Sequence, residues 1–229
     1  LKASSYLSKI IQHQPNMLFN YSNVGHQSFL VPQEGVDLID DMYFDAYRLG
    51  VARSDMEEVE PVLRNADILS VDLSSIRLSD APATAKGSPN GFYGEEMCRI
   101  MRYAGLSGRL SSLGVYEYAI SLDREHQTAQ LVAQMLWYFL EGYFHRMKRL
   151  TPNAEDFVKY HVSMRNGEFD ATFYKNKQLD KWWMEVPLVG EQMERFKDHY
   201  FIPCSYTDYQ LACQGELPDR WWKAFQKMN

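Results

Sequence analysis

The sequence predicts an α/β protein built on a mainly parallel, doubly wound sheet. Three observations carry this. Between residues 66 and 148, apolar runs of strand length alternate with segments of helical periodicity, and strand, helix, strand, helix is the order such a sheet requires. One run, Ile68-Leu69-Ser70-Val71, ends on Asp72, and parallel α/β sheets carry their chemistry at the C-terminal edges of their strands. Beyond residue 150 the alternation gives way to aromatic-rich, strand-like pieces. The reading is therefore an α/β region over 1–150 and a C-terminal extension over 151–229 packed on it.

Each element has its own justification. Residues 5–12 read as a short amphipathic helix. Met17-Leu18-Phe19-Asn20 reads as a strand that ends in the polar loop YSNVGHQS. Residues 34–48 read as a helix, because Val36, Ile39, Tyr43 and Tyr47 fall near helical spacing. Ser54-Asp55-Met56-Glu57 has the form of a capping box, and the helix it starts carries Pro61, which should end or kink it. A strand follows over 67–73. Residues 79–92 are rich in proline, glycine and small polar side chains and read as loop. Gly94 to Ala104 is a helix that turns Met97, Ile100, Met101 and Ala104 inward and closes at Gly105. Leu113 to Tyr118 is the next strand. Residues 124–148 form the longest helix, with Ala129, Val132, Leu136, Phe139, Leu140 and Tyr143 assigned to its inner face.

In the extension, Asp180-Lys181-Trp182-Trp183 and Asp219-Arg220-Trp221-Trp222 echo each other. Two copies are too few for a solenoid. The expected role is to pack tryptophans onto the main domain; an aromatic ligand or partner surface is the other reading.

Composition bounds the function. The chain has 229 residues, 45% hydrophobic and 24% charged, as in an ordinary globular protein. A net charge of −6 argues against a nucleic-acid or anionic-membrane surface. No apolar run approaches the roughly 20 residues of a membrane helix, and residues 1–12 lack the pattern of a signal peptide. Cys98, Cys204 and Cys213 make an odd count without a CxxC, which points to reduced thiols and a cytoplasmic setting. The first residue is Leu1 rather than Met, so the true N-terminus is expected upstream.

The segment SVDLSSIRLSDAPATAKGSPNGFYGEE resembles the signature of the arginase, or ureohydrolase, family. There a strand delivers an Asp-x-Asp pair, followed by a proline-containing loop, a glycine-rich turn and an acid-bearing helix start. Pro82, Gly87, Pro89, Gly91 and Glu96 fall in step with it. LGVYEYAISLD resembles the family's next strand, and QTAQLVAQMLWYFLEG its final helix. NYSNVGHQSF, YRLG, DAPATAKGSPNGFYGEE and RYAGLSG are similar to a bacterial formimidoylglutamase-like branch. The resemblance spans about residues 1–148. It implies an arginase-like three-layer α/β/α fold and a homo-oligomer. It also implies hydrolysis of a C–N bond in a small linear amidine or guanidine, such as N-formimidoyl-glutamate. In the family the nucleophile is a hydroxide shared by two Mn²⁺ ions.

By the same resemblance, Asp72 holds a metal-ligand position, and Glu117 faces the substrate's amidine or guanidine as its anchor and catalytic acid group. Ser74 stands where the second acid of the pair belongs. A neutral hydroxyl is a poor Mn²⁺ ligand beside carboxylates, so the metal pair is expected to be degenerate or absent. Arg77 could stand in for a metal's charge and pair with Asp72. Asp80 could bend back as a replacement ligand. His26, in the NVGHQS loop, is a substrate-binding candidate or a structural residue. The family's other ligand segments, a Gly-rich loop with a His and a DAHxD-type strand end, are expected before residue 1. Asp45-Ala46-Tyr47 mimics part of the second, but is expected inside a helix, with Tyr in the ligand position. His13, His126, His145, His161 and His199 lack ligand spacing, and Cys98 reads as a core thiol. Two function classes remain: a hydrolase of linear amidines, or a family member without metals that binds a ligand or a partner protein.

Overall fold

The computed structural model describes residues 6–15, 17–146 and 155–229. Its α/β part holds two parallel strand pairs. β1 (Ser22–His26) pairs with β2 (Asp45–Arg48), and β3 (Ile68–Asp72) pairs with β4 (Ser112–Tyr116). Six helices accompany them among the described residues: α1 (Tyr6–Ile11), α2 (Gln33–Asp41), α3 (Leu49–Ser54), α4 (Val59–Asn65), α5 (Gly94–Leu106) and α6 (Gln127–Phe144). The extension is an antiparallel sheet of β5 (Phe157–Met164), β6 (Phe169–Asn176), β7 (Trp182–Glu185) and β8 (Phe201–Cys204), in that spatial order. It carries α7 (Gln192–Arg195), α8 (Tyr206–Cys213) and α9 (Asp219–Met228). No helix among the described residues is long and apolar enough to cross a membrane.

Several sequence-based expectations change. The first strand is Ser22–His26, not 17–20. Phe19 is drawn instead into the extension's core, where its ring stacks on His199 at 3.8 Å. The polar run 22–26 becomes a strand because a parallel partner is available, and Gly25, at φ +97°, lets the Phe92 ring close in where a Cβ would sit 2.3 Å from it. The helix predicted over 34–48 stops at Asp41. Tyr43 has φ +56°, and Asp45–Arg48 is strand β2. Asp45-Ala46-Tyr47 therefore lies on a strand, with Asp45 accepting a hydrogen bond from the Ser22 hydroxyl at 3.0 Å.

The capping box is replaced by an Asp55 cap that accepts the Glu57 N–H at 3.2 Å, while the Ser54 hydroxyl turns back to the Val51 carbonyl. Pro61 neither ends nor kinks a helix. It sits in the first turn of α4, where a missing N–H removes no helix bond. Gly105 does not close α5, which runs to Leu106. It marks a helix crossing instead: a Cβ on Gly105 would lie 2.2 Å from the Phe139 carbonyl oxygen, and one on Gly142 would lie 2.3 Å from that of Arg102. The two glycines let the α5 and α6 backbones touch. The face of α6 buried there is Thr128, Leu131, Met135 and Gly142. Leu136, Leu140 and Tyr143, assigned inward from sequence, point outward.

Two apolar cores result. The first gathers Val59, Val71, Leu73, Ile76, Phe92, Met101 and Met135 between the parallel strands and their helices. The second fills the extension with Phe173, Trp182, Met184 and Trp221. The repeated Asp-Lys/Arg-Trp-Trp motif joins them. Lys181 reaches Glu60 at 3.6 Å and Arg220 reaches Glu58 at 3.6 Å, so each copy sets its cation against an acid at or just before α4. The tryptophans beside these cations are buried. Trp182 stacks on Tyr209 at 4.6 Å, and the fully buried Trp221 donates its indole N–H to the Glu185 carbonyl at 3.1 Å.

Candidate functional site

β3 and β4 run parallel with Asp72 opposite Tyr116. Glu117 follows that partner directly, at φ +65°. The sheet therefore brings Asp72 and Glu117 to one strand-end edge. β1 reaches the same edge through the 75–92 loop. The Gln27 side chain donates to the Asn90 carbonyl at 3.0 Å, Phe92 packs on Gly25, and the Phe92 and Arg77 amides bond to Ser75 and Phe92 carbonyls. After β4, the Ala119 N–H donates to the Ala83 carbonyl at 2.8 Å. His26, Asp72 and Glu117 thus each stand at or just past the C-terminal end of a parallel strand, around one loop.

One oxygen of the Asp72 carboxylate is already engaged. Its Oδ1 accepts the Ser74 N–H at 2.8 Å, and its backbone carbonyl accepts the Ser75 hydroxyl at 2.7 Å. It caps a single 3-10 turn, Leu73–Ser75, pinned by the fully buried Leu73 and Ile76. Ser74 contributes its amide to that cap.

Arg77 does not pair with Asp72. Its Nε donates to Asp80 at 2.8 Å, and its guanidinium lies 3.9 Å from the centre of the Tyr93 ring. Asp80 does not bend back toward Asp72 either. Its second oxygen accepts the Gly94 N–H at 2.9 Å at the start of α5. Burial pushes the Asp80 carboxyl up, but the Gly94 N–H, Arg77 and the Ser79 hydroxyl outweigh it and hold the group below the usual carboxylate range. The pair is a latch that closes the loop onto α5.

Glu117 is exposed. His26 is half-buried, with its Nδ1 buried and without a hydrogen-bond partner. Burial, helped by nearby Arg48, lowers its pKa against the opposing effects of a backbone bond to Tyr47 and of Asp40.

Among the described residues, no three His, Cys, Asp or Glu side chains converge to hold a metal ion. With Ser74 neutral and no third ligand beside Asp72, the described residues do not by themselves fit a manganese pair.

One feature escaped sequence reasoning: a groove of about 980 Å³ walled by α5 and α6, with Arg77, Asp80, Arg99, Gln130, Gln134 and Tyr138 among its lining. Its signal was present in the spacing of Gln127, Gln130 and Gln134 along one face of α6.

The arginase family model matches residues 6–141, more than half of the 229. The chain belongs to the arginase family. Among solved structures it is similar to Trypanosoma cruzi formiminoglutamase with Mn²⁺ at pH 6.0, at 14% identity and a TM-score of 0.57 over 64% of this chain and 52% of that one. The same enzyme at pH 4.6 matches at 15% identity and TM-score 0.55, over 62% and 50%. Bacillus subtilis formimidoylglutamase matches at 21% identity and TM-score 0.49, over 53% and 41%. No curated protein matches the chain. The chain spans about half the length of the T. cruzi structures. At these identities the likeness to the T. cruzi enzyme establishes the arginase-like α/β fold, to which the antiparallel extension is added.

Proposed function

We propose that this arginase-family chain builds no working manganese pair from its own residues, and that its strand-end edge binds a small amidine or guanidine without hydrolysing it. The observation that carries this is the Asp72–Ser74 cap: the one carboxylate at the family's ligand position accepts a backbone N–H, and position 74 offers only a hydroxyl. The exposed carboxylate of Glu117 remains available, with His26 beside the same loop. A carboxylate facing a planar amidinium forms charge-assisted, paired hydrogen bonds. The three free thiols suit a cytoplasmic setting.

The test is a titration of N-formimidoyl-glutamate and of arginine into the protein, with and without Mn²⁺, while following ammonia, formamide and urea release. Binding that is independent of Mn²⁺, weakened by Glu117→Gln, and without turnover supports the reading.

A second reading is a formimidoylglutamase-like hydrolase. The parallel pairing that brings Asp72 and Glu117 to one strand-end edge favours it, and it requires further metal ligands from outside the described residues. Mn²⁺-dependent release of formamide would establish it and overturn the first.

A further inference from the structure

We propose that Lys227 is a site of covalent acylation, whose side-chain amine takes the acyl group of a small acyl phosphate. Lys227 lies on α9, the last helix of the extension. It meets the α/β part where β1 and β2 begin, because Asn20 and Phe44 stand just before those strands. Its Nζ is 2.6 Å from the Asn20 side-chain oxygen, 5.6 Å from the centre of the Phe19 ring and 5.9 Å from that of Phe44. His26 closes the opposite end of β1, so the proposal does not rest on the reading of the strand-end edge.

Lys223, one turn earlier on α9, has what Lys227 lacks. Its ammonium pairs with Asp45 at 3.5 Å and Asp219 at 3.1 Å, and Asp45 also accepts the Ser22 hydroxyl at 3.0 Å. With both acids committed there, the acceptor facing Lys227 is a neutral amide. Two ring faces attract a cation, but they do not replace the water that burial removes. Burial lowers the Lys227 amine to about 8, with the push of Lys223 and against the pull of Asp45 and Asp219. A lysine desolvated among apolar groups is an activated nucleophile, and Lys227 is half-buried rather than closed off.

The surroundings also select the electrophile. Acylation removes the charge that burial disfavours and keeps one N–H, which the Asn20 oxygen can still accept. Alkylation would keep the charge, and a neutral imine would have no N–H to donate. In the step, the Nζ lone pair attacks the acyl carbon and an N–C bond forms. The C–O bond to phosphate breaks, phosphate leaves with that electron pair, and the surplus proton on nitrogen passes to water.

The full chain treated with acetyl phosphate near neutral pH, and mapped lysine by lysine by mass spectrometry, tests this. Lys227 should acetylate at least about fivefold faster than the exposed Lys9 and Lys86, through the larger free-amine fraction its setting maintains. Asn20→Asp sets a carboxylate against the amine and holds it as an ammonium. It should slow Lys227 at least about fivefold and leave Lys9 and Lys86 unchanged. Circular dichroism confirms that the variant is folded. Acetylation of Lys227 no faster than that of Lys9 and Lys86, or a rate that Asn20→Asp leaves unaltered, would overturn the proposal.

Discussion

Arg64 and Glu60 lie 3.2 Å apart, one turn from each other on α4, and both side chains are about 95% shielded from solvent. The rest of the Arg64 guanidinium is used to bind the extension. It donates to the Trp182 carbonyl at 3.0 Å and the Cys204 carbonyl at 3.1 Å, and lies 4.2 Å from the centre of the Trp183 ring. One residue of the α/β part therefore holds the ends of two strands of the antiparallel sheet. Removing Arg64 strips Glu60 of its nearer partner and leaves it only Lys181 at 3.6 Å, and breaking a buried ion pair costs about 3–5 kcal/mol. Arg64→Ala should lose stability in that range by urea unfolding. The double variant Arg64→Met with Glu60→Leu should recover part of it. A loss below about 1 kcal/mol would mean that the pair is solvated, as surface pairs are.

The α5–α6 crossing gives a second prediction. Gly105→Ala places a methyl where only 2.2 Å separates it from a carbonyl oxygen. Backbone does not yield cheaply, and overpacking costs about 1–3 kcal/mol. Gly35→Ala, in α2, meets nothing closer than 3.9 Å and should be neutral or stabilise by about 0.4–1 kcal/mol through the unfolded chain. Thermal melts of the two variants should move in opposite directions; equal shifts would remove the crossing from the account.

The Arg77–Asp80 latch predicts a pH dependence. The folded carboxyl titrates below its ordinary value because Gly94, Arg77 and Ser79 outweigh the opposing effect of burial. A depressed acid contributes stability that is present above the unfolded value of about 3.9 and is lost as pH falls through the folded one. Wild type should lose more stability than Asp80→Asn between pH 5 and the acid limit. Identical pH profiles for the two would place the latch outside the stability of the fold.

An acid placed at position 74 should not create a metal site. Ser74→Asp adds a carboxylate, but it leaves Asp72 bonded to the amide of residue 74 and brings no third ligand from among the described residues. Mn²⁺ titration followed by electron paramagnetic resonance should show no stoichiometric binding to this variant. Tight binding would show that position 74 alone separates this chain from a metal site.

How much was legible depended on whether local pattern and tertiary partner agreed. β3, α5 and the loop between them were readable, because their apolar spacing and turn residues match the environment they occupy. β1 was not: Ser22-Asn23-Val24-Gly25-His26 has little strand propensity and forms through pairing with β2. The face of α6 was misread because a helix apolar almost all round has no phase to read. The placement of Asp72 and Glu117 at one edge followed from motif order, whereas the partner of Arg77 did not. Asp80 lies three residues on, the tighter and closer choice than Asp72 across the turn. The Asp-Lys/Arg-Trp-Trp repeat became intelligible only when Glu58 and Glu60 appeared opposite its cations.

The most direct test is the metal content of the full chain. The protein would be equilibrated with Mn²⁺, freed of unbound ion by dialysis, and assayed by elemental analysis. The account predicts no stoichiometric manganese, because no three ligands converge among the described residues and a serine stands two residues after Asp72. Two Mn²⁺ per chain would contradict it and favour the second reading, with the remaining ligands supplied from outside the described residues.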